Sequence, residues 1–349
     1  MVAGEASRRT RPRERRSIAT RHDEPVLVAL LGSTLALRPA VRALRAGSTA
    51  AVSREPVCPR AQAGSATGLV AEPLDAFERN LARMTDALRG TAVRLRPHAK
   101  SHKCAEIALR QMAAGAVGVC CQKVSEAEAL VSGGVTNVLI SNEIVRVSKL
   151  DRLAALARIA RIAVCVDAEQ QVADLDAAAA RAGVRLDVLV EVNVGGNRCG
   201  VEPLAPALAL SRAVAESRHL RFAELQSYQG KAQHVRSAAE RREVIGRSIE
   251  RVRSTRGLIA ASGIPCETVT GAGTGSFPVE LASGVYDELQ AGSYIFMDAD
   301  YNRNEFDSAW PLFERSLFVW TTVMSRPLPG RAVVDAGLKS VSVDSGLPQ

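Results

Sequence analysis

Val93-Arg94-Leu95-Arg96-Pro97-His98-Ala99-Lys100-Ser101-His102-Lys103 is the stretch that decides the fold. Residues 93–98 alternate and read as a strand, and residues 104–114 carry a helical period directly after it. A doubly wound open sheet would want a glycine-rich turn behind its first strand. Arg96-Pro97-His98-Ala99-Lys100 contains no glycine. Working outward, further apolar runs at 117–120, 137–141, 162–167, 186–193, 222–228, 267–270 and 287–290 read as strands. Helical patterns fill 125–132, 147–158, 168–182, 204–216 and 235–261, and the last connection is glycine-rich and then short. Ser125 followed by Glu126 and Glu128 reads as a helix N-cap with acids in the first turn. Eight strands with helical crossovers predict an α/β chain folded as a (β/α)8 TIM barrel. After about residue 310 the pattern changes. Residues 317–324, 332–335 and 341–343 read as strands without helices, the start of a separate β domain. The expected organisation is a basic, disordered extension at 1–65, a barrel at 66–305 and an incomplete β domain at 306–349.

Composition narrows the classes. Of 349 residues, 47% are hydrophobic but only 4% aromatic, so the core must be mostly Ala, Val, Leu and Ile. The net charge of +8 is concentrated at the start. Twelve Arg and five acids in residues 1–60 give +7 there, which leaves the remaining 289 residues near neutral. Such a body has no basic stripe with interleaved aromatics, and no nucleic-acid partner is expected. No stretch approaches the roughly 20 apolar residues of a membrane helix. The Arg-rich start and the apolar run 26–37 resemble a crude export signal, but Asp23 and Glu24 flank that run and Pro39 follows it. Seven cysteines at 58, 104, 120, 121, 165, 199 and 266 form no C-x-x-C pair, which fits reduced thiols in a cytoplasmic protein.

The chain has six lysines, and none lies before Lys100. Lys100 follows the first strand, where barrel active sites lie. On an extended backbone His98, Lys100 and His102 would point to one side, so an amine and two imidazoles would converge. An amine near cations or apolar groups has a lowered pKa and is nucleophilic. A solvated basic turn is the plainer alternative, and a zinc site from His98 and His102 lacks a third ligand. Gly271-Ala272-Gly273-Thr274-Gly275-Ser276 follows the seventh strand, a common place for a barrel's phosphate site. A plain flexible loop is the competing reading. Arg198 sits in a polar, glycine-rich loop, 193–200, after the fifth strand, suited to a carboxylate or a phenolic oxygen if it is not simply on the surface. Tyr228 follows the sixth strand and could hydrogen-bond a ring nitrogen. His234 is a candidate base but reads better as a helix-start histidine without a role. Asp298 and Asp300 read as turn residues rather than metal ligands.

With these residues in view, the chain resembles the D-threonine aldolase and D-serine dehydratase family, fold-type III pyridoxal-phosphate (PLP) enzymes related to alanine racemase. The resemblance runs from about residue 69 to 349. It rests on Arg96 to Lys103, on Gly118-Val119-Cys120-Cys121-Gln122-Lys123-Val124-Ser125-Glu126-Ala127-Glu128, and on Arg198-Cys199-Gly200-Val201. It continues through Gly273-Thr274-Gly275-Ser276, Glu288-Leu289-Gln290-Ala291-Gly292-Ser293-Tyr294 and Val333-Val334-Asp335-Ala336-Gly337-Leu338-Lys339. The Cys-Cys-Gln-Lys and Phe-Met-Asp-Ala-Asp-Tyr runs look most like the 3-hydroxy-D-aspartate aldolase branch. The resemblance implies a barrel of the alanine racemase N-terminal type with pyridoxal 5'-phosphate on Lys100. It implies that His98, Arg198 and Tyr228 stand near the ring, and Gly273, Thr274 and Gly275 near the phosphate. The implied reaction cleaves a small D-3-hydroxy amino acid to glycine and an aldehyde. A D-serine dehydratase-like ammonia-lyase and a catalytically silent PLP-binding protein are the alternatives. The family also implies a homodimer and a divalent metal (Mg, Mn or Zn) held by the C-terminal β domain. Those ligand motifs are expected beyond the last residue of this sequence, so no metal ligand is assigned in it.

Overall fold

The computed structural model describes residues 26–29, 68–70, 74–338, 340, 341, 343, 346 and 347. Eight parallel strands form the centre: β3 (Arg94–Leu95), β4 (Val119–Cys121), β5 (Asn137–Glu143), β6 (Arg161–Val166), β7 (Leu186–Glu191), β8 (Leu220–Ser227), β9 (Thr268–Gly271) and β10 (Glu288–Leu289). They neighbour one another in the order β3-β10-β9-β8-β7-β6-β5-β4. The two ends of that order meet. His98 pairs in parallel with Cys120, and the Cys120 N–H donates to the Pro97 carbonyl at 2.9 Å. All eight expected strands are present, and the ring closes as a barrel.

Alternation along each strand explains the two cores. Val119, Val138, Ile140, Val164, Val166, Val188 and Val190 belong to the large cluster shared with the surrounding helices. Cys120, Leu139, Cys165 and Leu189 point the other way and form a small cluster inside the ring. The interior is polar elsewhere. Arg96 Nε donates to Glu288 Oε1 at 2.7 Å, and Arg96 Nη1 donates to Asn137 Oδ1 at 2.8 Å. Thr270 Oγ1 donates to Glu288 Oε1 at 3.0 Å.

The helical shell comprises α2 (Ala105–Ala113), α3 (Val124–Ser132), α4 (Val147–Leu156), α5 (Glu169–Ala182), α6 (Ala205–Glu216), α7 (Ala238–Ala261) and the short α8 (Phe277–Ala282). The Ser237 hydroxyl caps α7 by accepting the Glu240 N–H at 3.5 Å. Helix α3 corrects the expected cap. It starts at Val124, so Ser125 already lies in the first turn, and no side chain caps it. The Glu126 carboxylate instead accepts the Gln122 N–H at 2.9 Å. A helix without an assigned expectation, α1 (Leu74–Leu88), precedes the barrel. Its buried Asn80 donates to the carbonyls of Ile295 and Glu314 and accepts the Glu314 N–H.

Three strands follow the barrel: β11 (Phe318–Thr321), β12 (Val323–Leu328) and β13 (Arg331–Val334). Two earlier strands, β1 (Val26–Ala29) and β2 (Gly68–Val70), flank β11 antiparallel on either side. The backbone of β1, within the expected extension 1–65, completes one edge of β11, and that of β2, within the expected span 66–305, completes the other. The remainder of 1–65 and Lys339 lie outside the described residues. Val341 and Val343 are not in a strand, unlike the expected run at 341–343. Among the described residues no helix is long and apolar enough to cross a membrane.

Candidate active site

A cavity of about 360 Å³ opens at the C-terminal ends of the barrel strands. His98, Lys100, Arg198, Tyr228, Gly273 and Thr274 all line it. The backbone behind β3 tightens at Ala99–Ser101 into a 3-10 turn. His98 caps this turn, its Nδ1 accepting the Lys100 N–H at 3.3 Å. Nδ1 is therefore an acceptor, and the neutral ring carries its proton on Nε2. Nε2 stands 3.0 Å from Ser141 Oγ, which in turn donates to the Cys121 carbonyl at 3.3 Å. Burial first, and the nearby Lys100 ammonium second, hold His98 well below the usual imidazole range, so it stays uncharged.

Lys100 lines the same cavity. Among the described residues it forms no ion pair with a carboxylate, although Lys103 pairs with Glu126 at 3.3 Å. Its Nζ lies 5.6 Å from the centroid of the Tyr228 ring. Burial, and then the Arg198 guanidinium, push its amine below the ordinary lysine value. A lowered pKa makes the uncharged form of an amine, the one that attacks a carbonyl, easier to reach.

The 3-10 turn also overturns one expectation. His102 does not join His98 and Lys100, because the backbone is not extended there. Its ring packs edge-on against Phe296, its Nδ1 accepts the Cys104 N–H at 3.0 Å, and burial lowers its pKa to about 4.

Arg198 enters the cavity on the loop behind β7. Gly200 makes that loop possible. Its φ is +100°, and a Cβ there would stand 2.7 Å from the Asn193 nitrogen and 2.8 Å from the Val192 carbonyl carbon. Arg198 Nη2 meets Glu191 Oε1 at 3.3 Å, and its guanidinium lies 5.9 Å from the Tyr228 centroid. Tyr228 thus presents a ring to two cations. Burial, with Glu143 beside it, raises the Glu191 carboxyl to about 7.

Gly273 and Thr274 also line the cavity, as do Gly292 and Ser293 from the turn behind β10. Gly275 does not. Its N–H donates to Gln233 Oε1 at 2.9 Å, and it is absent from the cavity wall. The glycine-rich run therefore lines the cavity through Ala272, Gly273 and Thr274. Gly292, Ser293, Ser141, Gln226 and Gln290 line the cavity without having been assigned a role from sequence. A usable signal existed: Ser141 is two residues past Leu139 and Gln290 two past Glu288, so each faces the ring interior at the mouth.

His234 also differs from its expectation. It lines the cavity, with Nδ1 2.7 Å from Asp300 Oδ2 and its ring stacked on Tyr301 at 5.8 Å. Arg236 holds the other oxygen of Asp300. Asp298 is a turn residue as expected, accepting the Tyr301 N–H at 2.8 Å, and it also lines the cavity.

These walls suit a flat aromatic aldehyde that carries an anionic group. Lys100 offers the amine, Tyr228 and Arg198 face a ring, and Thr274 and Ser293 with the glycines beside them offer hydroxyls and close backbone. The volume is within the usual range for a cofactor site.

The family described as alanine racemase, N-terminal domain, matches residues 73–300, and a serine dehydratase domain matches residues 316–349. A D-threonine aldolase of Arthrobacter sp. is 50% identical over 296 residues, covering 83% of this chain and 78% of that protein. A 3-hydroxy-D-aspartate aldolase of Paracoccus denitrificans is 44% identical over 281 residues, covering 79% and 73%. The crystal structure of D-threonine aldolase from Filomicrobium marinum superposes with a TM-score of 0.79 at 56% identity, covering 81% of this chain and 76% of that one.

Proposed function

Because the chain belongs to the alanine racemase N-terminal domain family, we propose that it is a pyridoxal-phosphate-dependent lyase that cleaves small D-3-hydroxy amino acids to glycine and an aldehyde. The observation that carries this reading is Lys100: a half-buried amine with no carboxylate partner among the described residues, near Tyr228 and Arg198 in the barrel mouth. When bound, pyridoxal phosphate supplies an electron sink for the pair left at Cα when the Cα–Cβ bond breaks.

The protein's own residues supply the rest. Lys100 holds the cofactor's carbonyl carbon. His98, neutral and fixed through Ser141, sets the turn that aims Lys100. Arg198, held by Glu191, and Tyr228 position the ring, while Gly273, Thr274, Gly292 and Ser293 receive the phosphate. His234, oriented by Asp300 through Nδ1, keeps Nε2 to take the proton of the substrate's β-hydroxyl. The residue set is that of a small-molecule enzyme. A homodimer is part of the proposal, checked by sedimentation. The six free cysteines among the described residues support a reducing, cytoplasmic setting.

Two measurements test this reading. Borohydride reduction of the protein with PLP, followed by peptide mapping, should place a pyridoxyl group on Lys100. Incubation with D-threonine or 3-hydroxy-D-aspartate should release glycine with acetaldehyde or glyoxylate. Release of a 2-oxo acid and ammonia would instead make the chain an ammonia-lyase. An adduct at Lys100 without turnover would make it a binding protein.

A further inference from the structure

We infer that Glu143, Asp167 and Cys199 form a second site, which binds one divalent transition-metal ion of the borderline Zn²⁺ type behind Arg198. The three residues come from three neighbouring strand ends. Glu143 is the last residue of β5, Asp167 directly follows β6, and Cys199 lies in the loop behind β7. One carboxylate oxygen of each acid and the Cys199 sulfur all lie within 4.8 Å of one another. Ligand atoms around a tetrahedral ion with bonds of about 2.0–2.3 Å stand roughly 3.3–3.8 Å apart. The cluster therefore needs side-chain shifts of only about an ångström to close on an ion.

A second, independent observation points to a missing cation. Glu191 is only 3% exposed, and the Glu143 carboxyl lies close enough to act on its own. One of its oxygens is spent on Arg198, while Oε2 is buried and has no partner among the described residues. Glu143 Oε1 is likewise buried without a partner. Two orphaned carboxylate oxygens in one pocket are costly unless something positive or a proton lies between them. Among the described residues Arg198 is the only cation in an ion pair with these three acids. A soft thiolate beside hard carboxylates selects a borderline ion over Mg²⁺ or Ca²⁺, which take oxygen ligands. All three ligand residues are partly exposed, so the ion has a way in. Binding releases the Cys199 thiol proton to solvent and leaves thiolate on the metal.

The ion would tie the ends of β5 and β6 to the loop 193–200 and so fix the guanidinium next to Cys199. That consequence for Arg198 rests on the cofactor reading above, whereas the metal site itself does not. The test uses the purified full chain, stripped with a chelator and dialysed against Co²⁺. The expected result is one retained Co²⁺ per chain with a thiolate-to-cobalt charge-transfer band in the near ultraviolet. Cys199→Ser should abolish the band, and Glu143→Gln should weaken retention at least tenfold. In the unaltered protein, added Zn²⁺ should protect Cys199 from iodoacetamide, read by peptide mapping. This arm decides the matter even if Cys199→Ser fails to fold. Three outcomes overturn the site: no retained ion, cobalt bound without a thiolate band, or equal alkylation of Cys199 with and without Zn²⁺. In the first case an infrared band of a protonated carboxyl would show that Glu143 and Glu191 share a proton instead. Borohydride labelling of Lys100, run on the same samples, shows separately whether the cofactor reading fails.

Discussion

Lys100 has an unusual environment because its neighbours repel its proton rather than hold it. Burial contributes most to the lowered pKa, and Arg198 adds to it. Replacing Arg198 by Gln removes the second cause and leaves the first. The midpoint of the pH profile for borohydride-trapped PLP labelling should then move upward, and labelling at neutral pH should slow. An unmoved midpoint would mean that Arg198 is too far away or too well screened to act on the amine. Gly200 is the other decisive single residue. Its φ of +100° and the backbone 2.7 Å from its missing Cβ leave no room for a side chain. Gly200→Ala should cost about 1–3 kcal/mol in thermal denaturation and should disturb Arg198, which sits two residues before it. That Lys100, Arg198 and Tyr228 share one cavity wall was legible from sequence, because each follows a strand end. His102 was misjudged because a local turn, with His98 as its cap, replaced the extended backbone on which alternation depends.

At the scale of elements, α8 carries a buried acid. Glu280 accepts a hydrogen bond from Ser276 Oγ at 2.9 Å, yet its Oε2 has no partner among the described residues, and burial raises its carboxyl to about 7. The folded protein therefore retains a proton that the unfolded chain releases above about pH 4.5. This contribution to stability is present at low pH and is lost as pH rises from about 4.5 through 7. Over that window the loss is on the order of 3 kcal/mol. Glu280→Gln should flatten the fall, and urea midpoints at pH 5 and pH 8 would measure it. A variant that keeps the full pH dependence would place the titration elsewhere. The elements themselves were largely legible. All eight strands and the six long helices between them follow from periodicity, with ends that shift by a few residues. The cap of α3 was not legible, because Ser125 has the right chemistry but lies two residues past the cap position, Lys123.

For the whole molecule, closure of the ring concentrates polar groups where an isolated sheet would have none. Arg96 on the first strand's extension meets Glu288 of β10, which is fully buried, and also reaches Asn137 of β5. Removing one partner leaves a buried charge alone, so Glu288→Ala should lower stability by about 3–5 kcal/mol in urea unfolding. Pairing Arg96→Met with Glu288→Leu should recover much of that loss. If the single and double variants were equally unstable, packing volume rather than charge would be the cause.

Sequence by itself determined the barrel, because the alternation of short apolar runs with helical periods has one well-populated closed solution. It also made Lys100 the candidate lysine, because the first predicted strand, 93–98, ends two residues before it. The tertiary structure decided what sequence could not encode locally. It brought His234 and Asp300, 66 residues apart, to 2.7 Å at the cavity wall. It turned Gly275 away toward Gln233, and it gathered Glu143, Asp167, Glu191 and Cys199 into one acidic pocket. It also set β1 and β2 on the two edges of β11. Each of these depends on contacts between segments far apart in the chain, and a local pattern of residue types carries no information about which distant partner will satisfy a buried polar group.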